Sequence, residues 1–190
     1  DKKTNVRMSC TNWHCKKRKG SVMSNKTKYL AYGLAASAAF FTSLEIHEGY
    51  SAKPYRDSGG VITQGIGSTV KPNGQQIKMT DPPITRKTAQ EWAKAHVSKD
   101  EIAFRNSLYG VKLSQVEYDT YLDFTYNFGQ SNWNQSSMLR NLKAGRYVQA
   151  CKSLLKWKYV AKKDCSVRSH NCWGVWVRQQ ERYSKCMGVN

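Results

Sequence analysis

Residues 44–69, LEIHEGYSAKPYRDSGGVITQGIGST, hold the side chains best placed to do chemistry. On a helix, Phe41, Leu44 and Glu48 fall at i, i+3 and i+7, so Glu48 projects from the apolar stripe at the last turn before Gly49 ends the helix. A carboxyl group at the edge of an apolar surface loses solvation of its charged form, which moves it toward the pKa a general acid needs. Beyond it, Ala52–Arg56 and Val61–Ile66 read as short strands joined by Asp57-Ser58-Gly59-Gly60, and Asp57 and Thr63 are expected to face each other across this hairpin. Gly65 and Gly67 are expected to leave room for a bulky ligand to approach the backbone. Taken singly, each residue also has an ordinary reading: a helix-end surface charge for Glu48, an Asx turn for Asp57, a β-former for Thr63.

The elements that must position this stretch are mostly helical. Pro82-Pro83 precede a helix capped by Thr85, with Ala89, Trp92, Ala93 and Val97 on one face. Ser114-Gln115-Val116-Glu117 is a capping box that opens the next helix, which ends near Asn127-Phe128-Gly129. Further helices are predicted over Ser136–Leu142, Tyr147–Lys158 and Val175–Met187, the last stopped by Gly188. Cys151, Cys165, Cys172 and Cys186 allow three pairings. The expected bridges are Cys151 to Cys186, cross-linking two helices, and Cys165 to Cys172, closing a loop; the rival is zinc held by Cys165, His170 and Cys172.

The whole chain has 190 residues, enough for one domain with a real core, and 39% apolar with 12% aromatic residues excludes global disorder. A formal charge of +18 calls for an anionic partner. Residues 1–28 carry nine Lys and Arg against Asp1 alone, and they read as a basic, disordered N-terminal segment; within it Cys10, His14 and Cys15 make only a weak metal cluster. Residues 29–44, YLAYGLAASAAFFTSL, hold no charge and follow Lys26 and Lys28, the pattern of a signal peptide or signal-anchor running into the first helix. At about 1.5 Å per helical residue this run falls short of a hydrocarbon core of about 30 Å, and Ala, Gly and Ser dilute it. Ala36-Ser37-Ala38 fits a cleavage pattern, so a cleaved signal and a weak anchor both stand, as does a core helix. Cysteine usage agrees with export to an oxidising compartment.

Taken together, Glu48-Gly49, Tyr55-x-Asp57 and Gly60-x-x-Thr63-x-Gly65-x-Gly67 closely resemble the phage-type lysozyme, or endolysin, family of glycoside hydrolases. Looser likeness continues through Asn127-Phe128-Gly129, Met138-Leu139-Arg140 and Gly174-x-x-x-Arg178-x-x-Glu181, so that residues 40–190 form the catalytic domain. The resemblance implies an α+β, lysozyme-like fold, mainly helical, with a small β-hairpin region beside the active-site cleft. It implies hydrolysis of the β-1,4 bond between N-acetylmuramic acid and N-acetylglucosamine of peptidoglycan, with inversion and without a cofactor or metal. Glu48 would protonate the leaving oxygen while Asp57 and Thr63 hold the attacking water; Arg178 either reaches and supports Glu48 or serves the surface and packing of the lobe. Ser68 stands where many members have a His that supports the hairpin. The expected setting is the periplasm, or an inner-membrane tether before release, during lysis of a phage's host, with a monomeric enzyme and no nucleic-acid partner. The alternatives are a lytic transglycosylase, which needs the acid but no water-holding Asp, and a non-catalytic wall-binding module driven by charge.

Overall fold

In the computed structural model, which describes residues 26–57 and 60–190, the uncharged run is divided among three short pieces. Strand β1 (Tyr29–Leu30) is followed by a 3-10 turn over Ala31–Gly33, and helix α1 (Ala38–Glu48) begins only after Ser37. The Ser37 hydroxyl accepts from the Phe40 amide at 3.2 Å, so the expected cleavage motif serves as a helix N-cap. Among the described residues no helix is long and apolar enough to cross a membrane. Cys10, His14, Cys15 and most of the basic head lie outside them.

The hairpin comprises β2 (Ser51–Arg56) and β3 (Ile62–Gly65), antiparallel. Its far turn is closed by main chain, Gln64 and Ser68 exchanging bonds of 2.9 and 3.1 Å. The ring of His96 then ties Val70 O to the next helix at 2.9 Å, so a histidine from outside the motif braces the segment beyond Ser68.

Helix α2 (Arg86–Ser107), capped by Thr85, buries Ala89, Ala93, Val97 and Phe104 along one face. It leads through β4 (Lys112–Leu113), which pairs with β1, into α3 (Gln115–Phe128), whose predicted capping box is complete. Against α3 pack α4 (Gln130–Gln135) and α7 (Trp173–Met187), and α5 (Ser137–Lys143) and α6 (Tyr147–Leu154) pack on each other between them. Phe104, Tyr118, Tyr121, Phe124 and Trp133 are fully buried at their centre, with ring centroids 5.2–6.3 Å apart.

The helix predicted over Tyr147–Lys158 stops at Leu154, because Trp157 leaves the helical path to pack on Phe124 and Phe128 at 4.9 and 5.4 Å. A two-residue hairpin follows, β5 (Tyr159–Val160) with β6 (Lys163–Asp164). Both expected disulfides are present, Cys151–Cys186 joining α6 to α7 and Cys165–Cys172 closing the loop before α7. Zinc on Cys165, His170 and Cys172 is thereby excluded, since each sulfur is already bonded to its partner, and the His170 ring bonds Asp164 O at 2.8 Å.

The segment leading to α1 is held by acids from α2 and α3. Lys28 sits 2.5 Å from buried Glu117 and 3.9 Å above the Tyr147 ring, so the folded unit begins before residue 29. The Ala36 amide donates to buried Glu101 at 2.8 Å. Ser37 donates twice to Asp119, from its amide at 3.2 Å and its hydroxyl at 2.5 Å, while Gln115 reaches Ala35 O at 2.8 Å.

Candidate active site

Glu48 is the last residue of α1, where Gly49 at φ 74° turns the chain into the hairpin. Its carboxyl is gripped from one side by α7, with Oε1 accepting from an Arg178 Nη at 3.0 Å. The same guanidinium donates to Asn127 Oδ1 on α3. Asn127 in turn donates to Asp123 O at 2.8 Å, and Asp123 pairs with buried Arg182 at 2.6 Å. This relay fixes Arg178, and Arg178 fixes Glu48. Burial lowers the Arg182 pKa, an effect that the Asp123 carboxylate opposes.

The hairpin closes in from the other side. A Cβ on Gly67 would stand 3.4 Å from Glu48 Oε2, so the turn's backbone lies directly against the carboxyl, at φ 67°. Gly65 similarly makes room for α2: its Cβ would meet Ala89 Cβ at 3.1 Å. The expectation that these glycines admit a bulky ligand is therefore corrected. What approaches them is the protein itself, Glu48 at one and Ala89 with Ile84 at the other.

The facing of Asp57 and Thr63 also needs correction. Thr63 lies opposite Tyr55, whereas Asp57 bonds the Val61 backbone, its amide donating to Val61 O at 2.9 Å. Both side chains bond the backbone of Val61 instead, on either side of its Cα: Asp57 Oδ1 accepts from the Val61 amide at 2.8 Å, and the Thr63 hydroxyl donates to Val61 O at 3.2 Å. Two residues of register separate this from the direct pairing expected, since the turn places Val61 and not Thr63 opposite Asp57; with a period of two, Thr63 stays on the same face as Val61. Thr63 is buried.

Beside Glu48 opens a cleft of about 530 Å³ lined by His47, Glu48, Gly174, Val175, Arg178 and Glu181 among others. A larger groove of about 640 Å³ runs along α1 past Phe41, Glu45 and Tyr50, but Glu48 does not line it. Glu48 and Arg178 line the smaller cleft, whereas Asp57 and Thr63 do not. There His47 Nε2 faces Glu181 at 3.4 Å, a second link between α1 and α7 next to the one made by Glu48.

Of the two readings open for Arg178 in the sequence, the structure shows the contact with Glu48, and two further neighbours carry no role in the sequence. Asn127 stood in a quoted motif without a role; His47 was visible only as the residue before the acid. Neither contact could be found by spacing, because Asn127 and Arg178 are 51 residues apart.

The phage lysozyme family model matches residues 45–170, and the chain belongs to this family. It is 34% identical over 121 residues to the endolysin of Salmonella phage P22, covering 64% of this chain and 82% of that relative. To the SAR-endolysin of Escherichia phage 933W it is 29% identical over 182 residues, covering 88% of this chain and 99% of the other. The crystal structure of a P22 lysozyme mutant superposes with a TM-score of 0.68 at 28% identity, covering 81% of this chain and 99% of that one. The fold is lysozyme-like, and the protein is a peptidoglycan-degrading glycoside hydrolase of the lysozyme class.

Proposed function

We propose that the protein is an endolysin that hydrolyses the β-1,4 bond between N-acetylmuramic acid and N-acetylglucosamine, with inversion and with Glu48 as the general acid. The observation that carries this reading is the position of Glu48, at the end of α1 with Arg178 on one side and the Gly67 turn on the other. Protonated, Glu48 donates its proton to the glycosidic oxygen as the bond to the anomeric carbon breaks. Asp57 and Thr63, carried together on the hairpin, orient a water on the opposite face of the sugar; its oxygen forms the new bond to the anomeric carbon as its proton passes to the Asp57 carboxylate. Arg178 is a positioning residue that holds the Glu48 side chain and stabilises the carboxylate left behind. The enzyme acts as a monomer on the wall polymer.

Glu48→Gln is expected to lower wall lysis by about 10² to 10⁴ while leaving the melting curve in place, because a proton donor is lost and little packing changes. Retained activity in that variant overturns the assignment. Anomer analysis of the wild-type products separates the mechanisms: retention overturns inversion, and absence of new reducing ends indicates a transglycosylase.

We further infer export with a releasable anchor. The support is the uncharged run Tyr29–Leu44 and the name SAR-endolysin carried by a relative that aligns over most of this chain. With the run in a bilayer, α1 cannot dock on α2 and α3, so Glu48 is out of place and the tethered form is inactive. Gly33→Leu with Ser43→Leu strengthens the anchor while leaving the Ser37 cap intact, and is expected to delay lysis and raise the membrane-bound fraction. Unchanged lysis with full-length soluble enzyme overturns controlled release.

A further inference from the structure

The β1–β4 edge has an inner and an outer side. Ala31, Val111 and Leu113 are buried beneath it, while Tyr29, Leu30, Tyr32 and Tyr109 face outward, Tyr32 at 59% and Tyr109 at 85% exposure. Their adjacency follows from the pairing: Leu30 lies opposite Lys112, and the Ala31 amide donates to Val111 O at 2.9 Å, which brings Tyr32 toward the Tyr109-Gly110 corner. Four large aromatic or apolar side chains thus stand together on this edge, with nothing among the described residues to cover them.

Around them the charge is positive. Exposed Lys26 and Lys112 and half-buried Arg105 border the patch, and the nearby acids Glu101 and Glu117 are turned inward to hold Ala36 and Lys28. Directly upstream, residues 1–25 add Lys2, Lys3, Arg7, Lys16, Lys17, Arg18 and Lys19 against Asp1 alone. Tyrosines with a wet hydroxyl and an apolar ring, rimmed by lysine and arginine, match the chemistry of a bilayer's headgroup layer. Excess positive charge selects an anionic one.

We propose that the folded protein binds peripherally to an anionic lipid surface through the β1–β4 edge, with Tyr32 and Tyr109 seated among the headgroups and the basic residues around and upstream of them supplying attraction. The proposal concerns the folded form and does not require that Tyr29–Leu44 ever spanned a membrane. It places the enzyme between bilayer and wall, with the Glu48 cleft on other elements and left open to substrate.

The test is flotation of the full-length protein with vesicles containing phosphatidylglycerol, or phosphatidylcholine alone, at about 50 and about 300 mM salt. Wild type is expected to float with the anionic vesicles, more at low salt, and not with the zwitterionic ones. Tyr32→Ser with Tyr109→Ser is expected to lower the partition coefficient by about tenfold. Activity on purified peptidoglycan and the melting curve should stay unchanged. Tyr109→Glu alone, at the most exposed position, should lower binding in the same direction and guards against a folding defect in the double variant. Wild-type levels of binding by the folded variants overturn the proposal, showing that the basic head acts without the edge; failure of wild type to float with phosphatidylglycerol overturns it as well.

Discussion

Glu48 owes its place to contacts on both sides, and the two sides make different demands on sequence. Arg178 must reach across from α7, which requires a long, forked cation. Gly67 favours glycine because its φ is 67°, and a Cβ there would touch Glu48 Oε2 in van der Waals contact at 3.4 Å. Gly67→Ala is therefore expected to lose about 1–2 kcal/mol of stability from the left-handed backbone and, in addition, wall-lysing activity. Gly74→Ala is the matched control: φ is 86° with nothing within 4 Å of its Cβ. It should lose similar stability in urea denaturation and keep its activity. Equal activity loss in the two would mean that Gly67 matters only for the backbone.

The entry segment from Lys28 to Ser37 contributes few apolar anchors of its own and is fastened by Glu101, Glu117 and Asp119. Burial raises the Asp119 pKa above its ordinary 3.8, against the opposing hydrogen bonds from Ser37 and Gln115. Between 3.8 and that raised value the folded state binds the Asp119 proton more readily than the unfolded state. This contribution to stability therefore grows as pH falls through the window and is lost as pH rises above it. Asp119→Asn should remove this slope, which urea midpoints of both proteins across mildly acidic pH will show. A difference between them that stays constant with pH would mean that Asp119 does not titrate in this way.

Across the molecule, α7 is the shared wall of lobe and cleft, carrying Arg178, Arg182 and Cys186 on successive turns. Cys151–Cys186 spans 35 residues, and in the chain-entropy model closing such a loop stabilises by about 4 kcal/mol. Replacing both cysteines by serine is expected to lower the unfolding free energy by about that amount. Loss of Cys165–Cys172, only 7 residues apart, should cost about 2–3 kcal/mol. Denaturation with and without reductant checks both. Because Cys186 lies two turns beyond Arg178 on α7, reduction should also weaken lysis before the fold is lost.

The sequence alone determined the local chemistry of the chain: the helix end at Glu48-Gly49, the hairpin with its glycines, the capping box at Ser114 to Glu117, and the even cysteine set. These are readable because caps, turns and alternation act over a few residues, and because the motif spacing resembles a known family. Tertiary structure decided what lies far apart in the chain. It turned an uninterrupted apolar run into a strand, a turn and a capped helix, since Glu101 and Asp119 of α2 and α3 satisfy the polar backbone and serine groups within it. It also ended α6 early in favour of Trp157 packing, and set Asp57 opposite Val61, two residues from Thr63. It placed Asn127 behind Arg178 as well. Each outcome depends on the partner that folding delivers, and no periodicity within a segment encodes it.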